Sequence, residues 1–311
     1  MKRNYWSYLG MLALLFLTGG LLALGASCMR FFSPSDKITD DAVVKLKLEG
    51  VILDGEKFLK QLKHYREEDH VRGILIVINS PGGVVGPSQE IYQEILRTRE
   101  EFKLPVVVAA PGLMASGAYY AAVAADKIVV NPGTLMGSIG VIMEFANLGE
   151  LYKWAKIRRY SIKTGKFKDT GAEYRPMSEE ERIFLQGMLN EVLGQFKAAV
   201  AKGRRMSLEK LEPVADGRIM TGDAGVRLGL ADETGGIARA EDLIRELAGL
   251  PADAEIFEPP KSMRNPFEVF FQSEDEGYAR ALERVLGPAG LLTSGTPMFL
   301  MPSARFSAEV L

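Results

Sequence analysis

The sequence has little of the residue types from which many hydrolytic and metal sites are built. Its 311 residues include a single cysteine, Cys28, and two histidines, His64 and His70. A single cysteine excludes an intramolecular disulfide framework and any metal site made of several cysteines. Two histidines leave little material for zinc chemistry or for a histidine base, so a hydrolase of this composition needs a different base.

The chain also lacks an excess of charge of either sign. Lys and Arg together number 38 against 40 Asp and Glu, which gives a formal charge of −2. Dedicated nucleic-acid binders usually carry a basic excess, so we expect no nucleic-acid partner. Hydrophobic residues make up 47% of the chain and charged residues 25%, which excludes global disorder. The length allows one large domain or two small ones.

The long apolar run of the sequence lies at its N-terminus. Residues 4–29 carry no charge, and Lys2 and Arg3 precede them. About 20 apolar residues in a helix cross a hydrocarbon layer of ~30 Å. Aromatic residues at one end and the preceding positive charges are typical of a membrane anchor. We therefore predict a transmembrane helix within residues 1–30, with a cytoplasmic N-terminus and the rest of the chain on the extracytoplasmic side.

Two other interpretations of this segment stay open. A cleaved signal peptide also has a short basic region followed by an apolar core. Residues 24–28 (Leu-Gly-Ala-Ser-Cys) loosely resemble a lipoprotein cleavage site with Cys28 as the lipidated residue. All three interpretations place the bulk of the chain outside the cytoplasm.

The remaining sequence indicates a linker, an α/β domain and a tail. Residues 31–41 are polar and turn-rich, and residues 42–258 alternate predicted strands with predicted helices, as right-handed βαβ units do. The predicted strands are 43–48, 71–78, 105–110 and 127–130, and the predicted helices include 55–70, 115–125, 178–202 and 237–249. Residues 259–311 are predicted to form a C-terminal arm whose apolar residues need a partner surface.

Small residues cluster in three loops that each follow a predicted buried strand. These loops are residues 79–83 (Asn-Ser-Pro-Gly-Gly), 114–120 (Met-Ala-Ser-Gly-Ala-Tyr-Tyr) and 133–140 (Gly-Thr-Leu-Met-Gly-Ser-Ile-Gly). Open α/β sheets bind ligands at the carboxyl ends of their strands, and glycines let backbone N–H groups face an anion. We expect the three loops to lie together at one edge of the sheet.

Ser116 lies in the second loop, at the predicted start of a helix. A helix N-terminus points N–H groups and partial positive charge at an oxyanion, although a serine there can also merely cap the helix. A serine nucleophile needs a base, and both histidines lie on the predicted helix 55–70, where solvated side chains are usual. A lysine base is the economical alternative, and its pKa must fall from about 10.4 towards 7–8.

A fourth segment, residues 163–169 (Lys-Thr-Gly-Lys-Phe-Lys-Asp), is a basic turn that alone indicates no more than a solvated surface. Segments 79–83, 116–120, 126–142 and 164–169, in this order and spacing, resemble the signal peptide peptidase A family. The resemblance covers about residues 42–250 and extends to the half-length form of the family with one N-terminal span. It implies an α/β fold of the Clp protease/crotonase-like ββα superhelix type, with an N-terminal transmembrane helix and a C-terminal arm.

The resemblance also implies a role for each matching residue. Ser116 would be the nucleophile and Lys168 the general base of a Ser-Lys dyad. Gly83 and Gly117 would supply the N–H groups of the oxyanion hole, and Ser138 would hydrogen-bond the lysine amine. No metal and no cofactor are implied.

By the same resemblance, the protein would be a serine endopeptidase of the cell membrane that degrades cleaved signal peptides and other apolar peptides. Its partners would be peptides, membrane lipid and further copies of itself, as an octamer whose neighbouring protomers share each dyad. One departure is Ala118, which stands where many relatives have a second glycine. Two alternatives remain: a crotonase-like acyl-CoA enzyme, which an external domain disfavours, and a non-catalytic peptide-binding scaffold of the same fold.

Overall fold

The computed structural model describes residues 38–260 and the backbone of residues 298–300. The predicted span within residues 1–30 and most of the predicted C-terminal arm lie outside the described residues. Within the described part of the chain, no helix combines the length and apolar character needed to cross a bilayer.

Strands and helices alternate along the described chain. The strands are β1 (Ala42–Glu49), β2 (Val71–Asn79), β3 (Gly82–Val84), β4 (Val106–Ala110), β5 (Leu113–Ala115), β6 (Lys127–Val130), β7 (Leu135–Gly137), β8 (Ile219–Thr221), β9 (Glu233–Thr234), β10 (Ile256–Phe257) and β11 (Met298–Leu300). The helices are α1 (Glu56–Tyr65), α2 (Val85–Glu100), α3 (Gly117–Ala122), α4 (Gly149–Trp154), α5 (Glu179–Arg204), α6 (Leu208–Leu211), α7 (Gly222–Arg227) and α8 (Ile237–Ala248).

A parallel sheet forms the centre of the fold. Its strand order is β10-β1-β2-β4-β6-β9, and each neighbouring pair runs parallel. The middle strand β2 is an almost continuous apolar run, as expected for a strand covered on both faces. Leu75, Val107 and Val129 of three adjacent strands pack with Ile244 of α8 in one core cluster. The predicted α/β domain with a parallel sheet is therefore confirmed.

Two smaller sheets lie at the carboxyl ends of these strands. One has the order β5-β7-β8, and the other pairs β3 with β11. The sequence indicated loops where β3 and β7 lie. The predicted helix 115–125 is shorter in the structure, because Ala115 ends β5 and α3 spans only Gly117–Ala122. A strand of three residues is too short to show an alternation of apolar and polar residues in the sequence. The strands β3, β5 and β7 form because neighbouring loops pair with each other.

Candidate active site

Backbone hydrogen bonds join the three small-residue loops. The N–H of Ser80 donates to the carbonyl of Leu113 (2.9 Å), and the N–H of Ala115 donates to the carbonyl of Ser80 (3.1 Å). The third loop joins them because the Ser116 N–H donates to the carbonyl of Gly137 (2.8 Å). The prediction that the loops lie together at one sheet edge is therefore confirmed.

Ser116 is buried and held in a strained backbone conformation. It is 1% exposed, with φ 53° and ψ −119°, immediately before α3. Its side chain makes no capping bond to the helix, and its hydroxyl has no hydrogen-bond partner among the described residues. A strained residue costs about 1–3 kcal/mol, as does an unsatisfied buried hydroxyl. Helix capping therefore does not explain the placement of this serine, and Ser116 is the candidate nucleophile of the site.

Gly117 and Gly83 lie in elements that adjoin Ser116. Gly117 is the first residue of α3, and first-turn N–H groups have no partner inside their own helix. Gly83 lies in β3, which contacts α3. A Cβ on Gly83 would lie 2.0 Å from the carbonyl oxygen of Ile52. This position therefore accepts only glycine, and the N–H groups of the two glycines are candidates for the donors of an oxyanion hole.

Ser138 directly follows Gly137, whose carbonyl accepts the hydrogen bond from the Ser116 N–H. It is 3% exposed, and its φ of 51° follows a φ of 89° at Gly137. Its N–H donates to the carbonyl of Arg218 (2.8 Å). Two successive left-handed residues turn the chain sharply, which keeps Ser138 in the wall of the site.

Lys168 does not contact the Ser116 hydroxyl in the structure. Its side chain is exposed, in a turn with no regular secondary structure of its own. Because the Ser116 hydroxyl has no hydrogen-bond partner among the described residues, Lys168 does not reach it within one chain. The structure thus brings together Ser116, Gly117, Gly83 and Ser138, and the Ser-Lys dyad stays a prediction.

The two histidines are exposed and face ordinary surface partners. The His64 side chain is 62% exposed and lies near Glu68. The His70 side chain is 48% exposed and lies near Asp41. The expectation that both are solvated is confirmed.

Sequence reasoning missed a charged cluster behind Lys168. Arg175 donates to the Asp169 carboxylate (2.8 Å) and to both oxygens of Glu181 (2.6 and 2.9 Å). Arg175, assisted by the Ser178 N–H, lowers the pKa of Glu181 to about 2. Arg175 and Lys163 hold the pKa of Asp169 well below its usual range. The only sequence signal was the capping box of Ser178 and Glu181, which indicates the helix start and not the arginine.

The low pKa of Glu181 predicts a loss of stability in acid. The unfolded carboxyl titrates near 4.5, whereas the folded one titrates near 2. The ionised Glu181 thus contributes its full stabilisation to the folded state above pH ~4.5, and this stabilisation disappears as the pH falls towards 2. We expect the urea midpoint to fall between pH 5 and pH 3, and to fall less in Glu181→Gln. Glu180→Gln, at a neighbouring exposed carboxylate, is the control and should show the wild-type fall; an equal fall in Glu181→Gln contradicts the prediction.

Two family models match the sequence around this site. The model described as peptidase family S49 matches residues 98–251, and the Clp protease model matches residues 29–134. The cyanobacterial protein named "Putative protease slr0021" (Synechocystis) is 36% identical over 235 residues, which is 74% of this chain and 84% of that protein. The protein named "Putative signal peptide peptidase SppA" (Enterococcus faecium) is 33% identical over 251 residues, 74% of this chain and 72% of that protein.

The chain belongs to the SppA family of S49 peptidases. The resemblance predicted from the four motifs is therefore confirmed, and with it the general activity of a peptidase. An archaeal relative named "Putative protease MJ0651" (Methanocaldococcus jannaschii) is 38% identical over 197 residues. That match covers 63% of this chain and 62% of the relative.

Proposed function

We propose that this SppA family member is a membrane-anchored serine endopeptidase that degrades cleaved signal peptides and other apolar peptides. The observation that carries the proposal is the buried, unpartnered hydroxyl of Ser116, a residue with strained backbone directly before the helix that begins at Gly117. The mixed α/β fold with a parallel sheet agrees with a Clp protease/crotonase-like superhelix. The anchor is assigned to residues 1–30.

In the proposed reaction, the Ser116 oxygen attacks the carbonyl carbon of a peptide bond while the neutral amine of Lys168 takes the hydroxyl proton. The N–H groups of Gly83 and Gly117 stabilise the oxyanion of the tetrahedral intermediate. The lysine then returns the proton to the leaving amine, which leaves an acyl-enzyme on Ser116. Water then attacks the ester carbonyl carbon while the lysine amine takes its proton, and the lysine passes this proton to the Ser116 oxygen as the ester bond breaks. The hydroxyl of Ser138 orients the amine, and no step needs a metal or cofactor.

A second copy of the chain supplies Lys168 in this proposal. The exposure of Lys168 and the unpartnered Ser116 hydroxyl support an arrangement in which the two residues meet only between copies. The segment before Lys168 also exposes large apolar side chains: Trp154 (82%), Tyr160 (79%) and Ile162 (96%). Clustered exposure of this kind marks an interaction surface. We assign it to a homo-oligomer, an octamer by resemblance to the half-length family members.

An extended peptide is the proposed substrate conformation. Residues 298–300 pair with β3 as an antiparallel strand, with Phe299 opposite Gly83. The edge of β3 beside the site therefore accepts an extended backbone. A substrate bound by strand addition would use backbone hydrogen bonds for affinity and side-chain pockets for selectivity.

Because residues 298–300 take this edge, they should compete with a peptide substrate. Met298→Pro combined with Phe299→Pro removes two successive N–H donors, one of which faces β3 in an antiparallel ladder. We expect a several-fold lower KM for an apolar fluorogenic peptide and an unchanged kcat, measured from initial rates. The double alanine variant at the same positions keeps both N–H groups and should behave as wild type. An unchanged KM in the proline variant contradicts competition.

A serine-directed acylating probe tests the proposed function directly. Incubation of the membrane-extracted protein with a fluorophosphonate should add the mass of one probe to wild type and none to Ser116→Ala. Peptide mapping should locate the probe on Ser116. A wild-type chain that binds apolar peptides yet stays unlabelled is a scaffold, and one that instead binds an acyl-CoA ester in calorimetry is a different enzyme; either result overturns the proposal.

A further inference from the structure

We propose that Arg175 is a positioning residue for Lys168, because it ties the turn that contains this lysine to the first turn of α5. The inference rests on the proposed function, in which Lys168 is the base. It adds a residue that touches neither the substrate nor the reacting atoms.

One end of the Arg175 side chain holds the residue next to Lys168. Its Nη2 donates to the carboxylate of Asp169 (2.8 Å) and also to the main-chain carbonyl of Asp169 (3.1 Å). The second bond fixes backbone, not only a side chain. The conformation of the chain directly after Lys168 is therefore set by Arg175.

The same guanidinium is attached to a rigid element, because its Nη1 and Nη2 both donate to Glu181. Glu181, whose side chain is 5% exposed, accepts from Arg175 and also from the N–H of Ser178 (2.8 Å). The Glu181 N–H in turn donates to the Ser178 hydroxyl (3.2 Å), which completes the capping box of a 26-residue helix. Arg175 thus transfers the rigidity of α5 to the turn.

The residue before Lys168 is anchored to the same helix. The Phe167 ring stacks on Phe184 of α5, with centroids 4.9 Å apart and planes 20° apart. Farther along the turn, a Cβ on Gly171 would lie 2.3 Å from the Phe145 ring, so the turn is also tightly packed. Both neighbours of Lys168 are therefore held while Lys168 itself points outward.

Arg175 also keeps the Asp169 carboxylate occupied. Asp169 accepts from Arg175, from Lys163 and from the Tyr174 hydroxyl (3.2 Å). Among the described residues, Lys168 has no ion pair with it. A carboxylate that lost its guanidinium would be free to pair with the adjacent ammonium, and a paired ammonium is a poor base because the pairing favours its charged form.

The first experiment compares two arginines at the start of α5. In Arg175→Gln, we expect kcat for an apolar peptide to fall 10- to 100-fold with KM changed less than threefold. The control is Arg182→Gln, an exposed arginine that pairs with Glu179, and it should stay within twofold of wild type. Limited trypsin digestion should cut the turn at residues 163–168 faster in Arg175→Gln than in the control. Equal kcat in both variants overturns the inference.

The second experiment shows whether Arg175 acts through the lysine. The rate of Ser116 acylation by a fluorophosphonate is measured in wild type, Arg175→Gln, Lys168→Ala and the double variant. A positioning role predicts that Arg175→Gln slows acylation in the presence of Lys168 and causes no further slowing in its absence. The same loss in both backgrounds means a general structural role and overturns the inference.

The variants Asp169→Asn and Lys168→Ala separate a failure of the positioning role from a failure to fold and from a failure of the proposed dyad. If Arg175→Gln does not fold, Asp169→Asn takes its place, because it keeps the size of the side chain and removes the charge that Arg175 binds. A fall in kcat is expected from the loosened turn alone, since this variant has no carboxylate to pair with Lys168. If Lys168→Ala is fully active, both the proposed dyad and this inference are wrong. If Lys168→Ala is inactive while the Arg175 and Asp169 variants match Arg182→Gln, the dyad stands and only the positioning role is wrong.

Discussion

The Ser116→Ala variant is expected to lose cleavage of an apolar peptide by about 10⁴-fold or more, since Ser116 is the proposed nucleophile and its removal leaves only binding and oxyanion stabilisation. Its stability should not fall with its activity. The Ser116 hydroxyl is buried without a partner among the described residues, so its removal breaks no hydrogen bond within the described chain and relieves a cost of about 1–3 kcal/mol. We expect a melting temperature equal to or above that of wild type.

Two measurements on one preparation test these effects. Chromatography monitors peptide cleavage and gives the activity, and circular dichroism monitors thermal unfolding and gives the stability. A buried hydroxyl with a partner provides the control. Thr98 is 0% exposed and its hydroxyl donates to the Glu94 carbonyl (2.8 Å) within α2. Thr98→Val should keep the cleavage rate within about twofold, because a substitution away from the site leaves the machinery intact. Cleavage retained by Ser116→Ala would place the nucleophile elsewhere.

The central sheet could be predicted from the sequence because its signals are local. Residues 71–78 are apolar and β-branched over a length typical of strands, and the structure has β2 there. The capping box of Ser178 and Glu181 marks the start of α5 correctly. Because neighbouring strands of the sheet run parallel, the three loops that follow them lie at the same edge of the sheet. The position of Ser116 beside the glycine loops could therefore also be predicted from the sequence.

Other features could not be predicted because they arise from contacts between distant segments. The strands β3, β5 and β7 form only when the loops pair with each other. The left-handed backbone of Ser116 depends on the bond from its N–H to Gly137. Arg175 stood in the sequence as an ordinary charged residue, and only the folded turn brings Asp169 and Glu181 to its two sides. The side-chain surroundings of Lys168 depend, in the proposed assembly, on another copy of the chain.

The Lys168→Ala variant should lose about 10³-fold in kcat, since Lys168 is the proposed general base and a positioned general base contributes roughly 10²–10⁴-fold. The fold should persist because the side chain is exposed and makes no hydrogen bond or ion pair among the described residues. Initial rates and thermal unfolding check both expectations. Activity close to wild type would assign the base to another residue.

Mixing the two inactive variants tests the sharing of the dyad between copies. When Ser116→Ala and Lys168→Ala chains are co-expressed in equal amounts, a site between neighbours in a ring receives an intact serine and an intact lysine in about one case in four. We therefore expect about a quarter of wild-type activity from two chains that are each inactive. Co-expression of Ser116→Ala with the double variant offers no intact serine and should recover nothing. A dyad within one chain predicts no recovery in either mixture, because no single protomer then carries both groups.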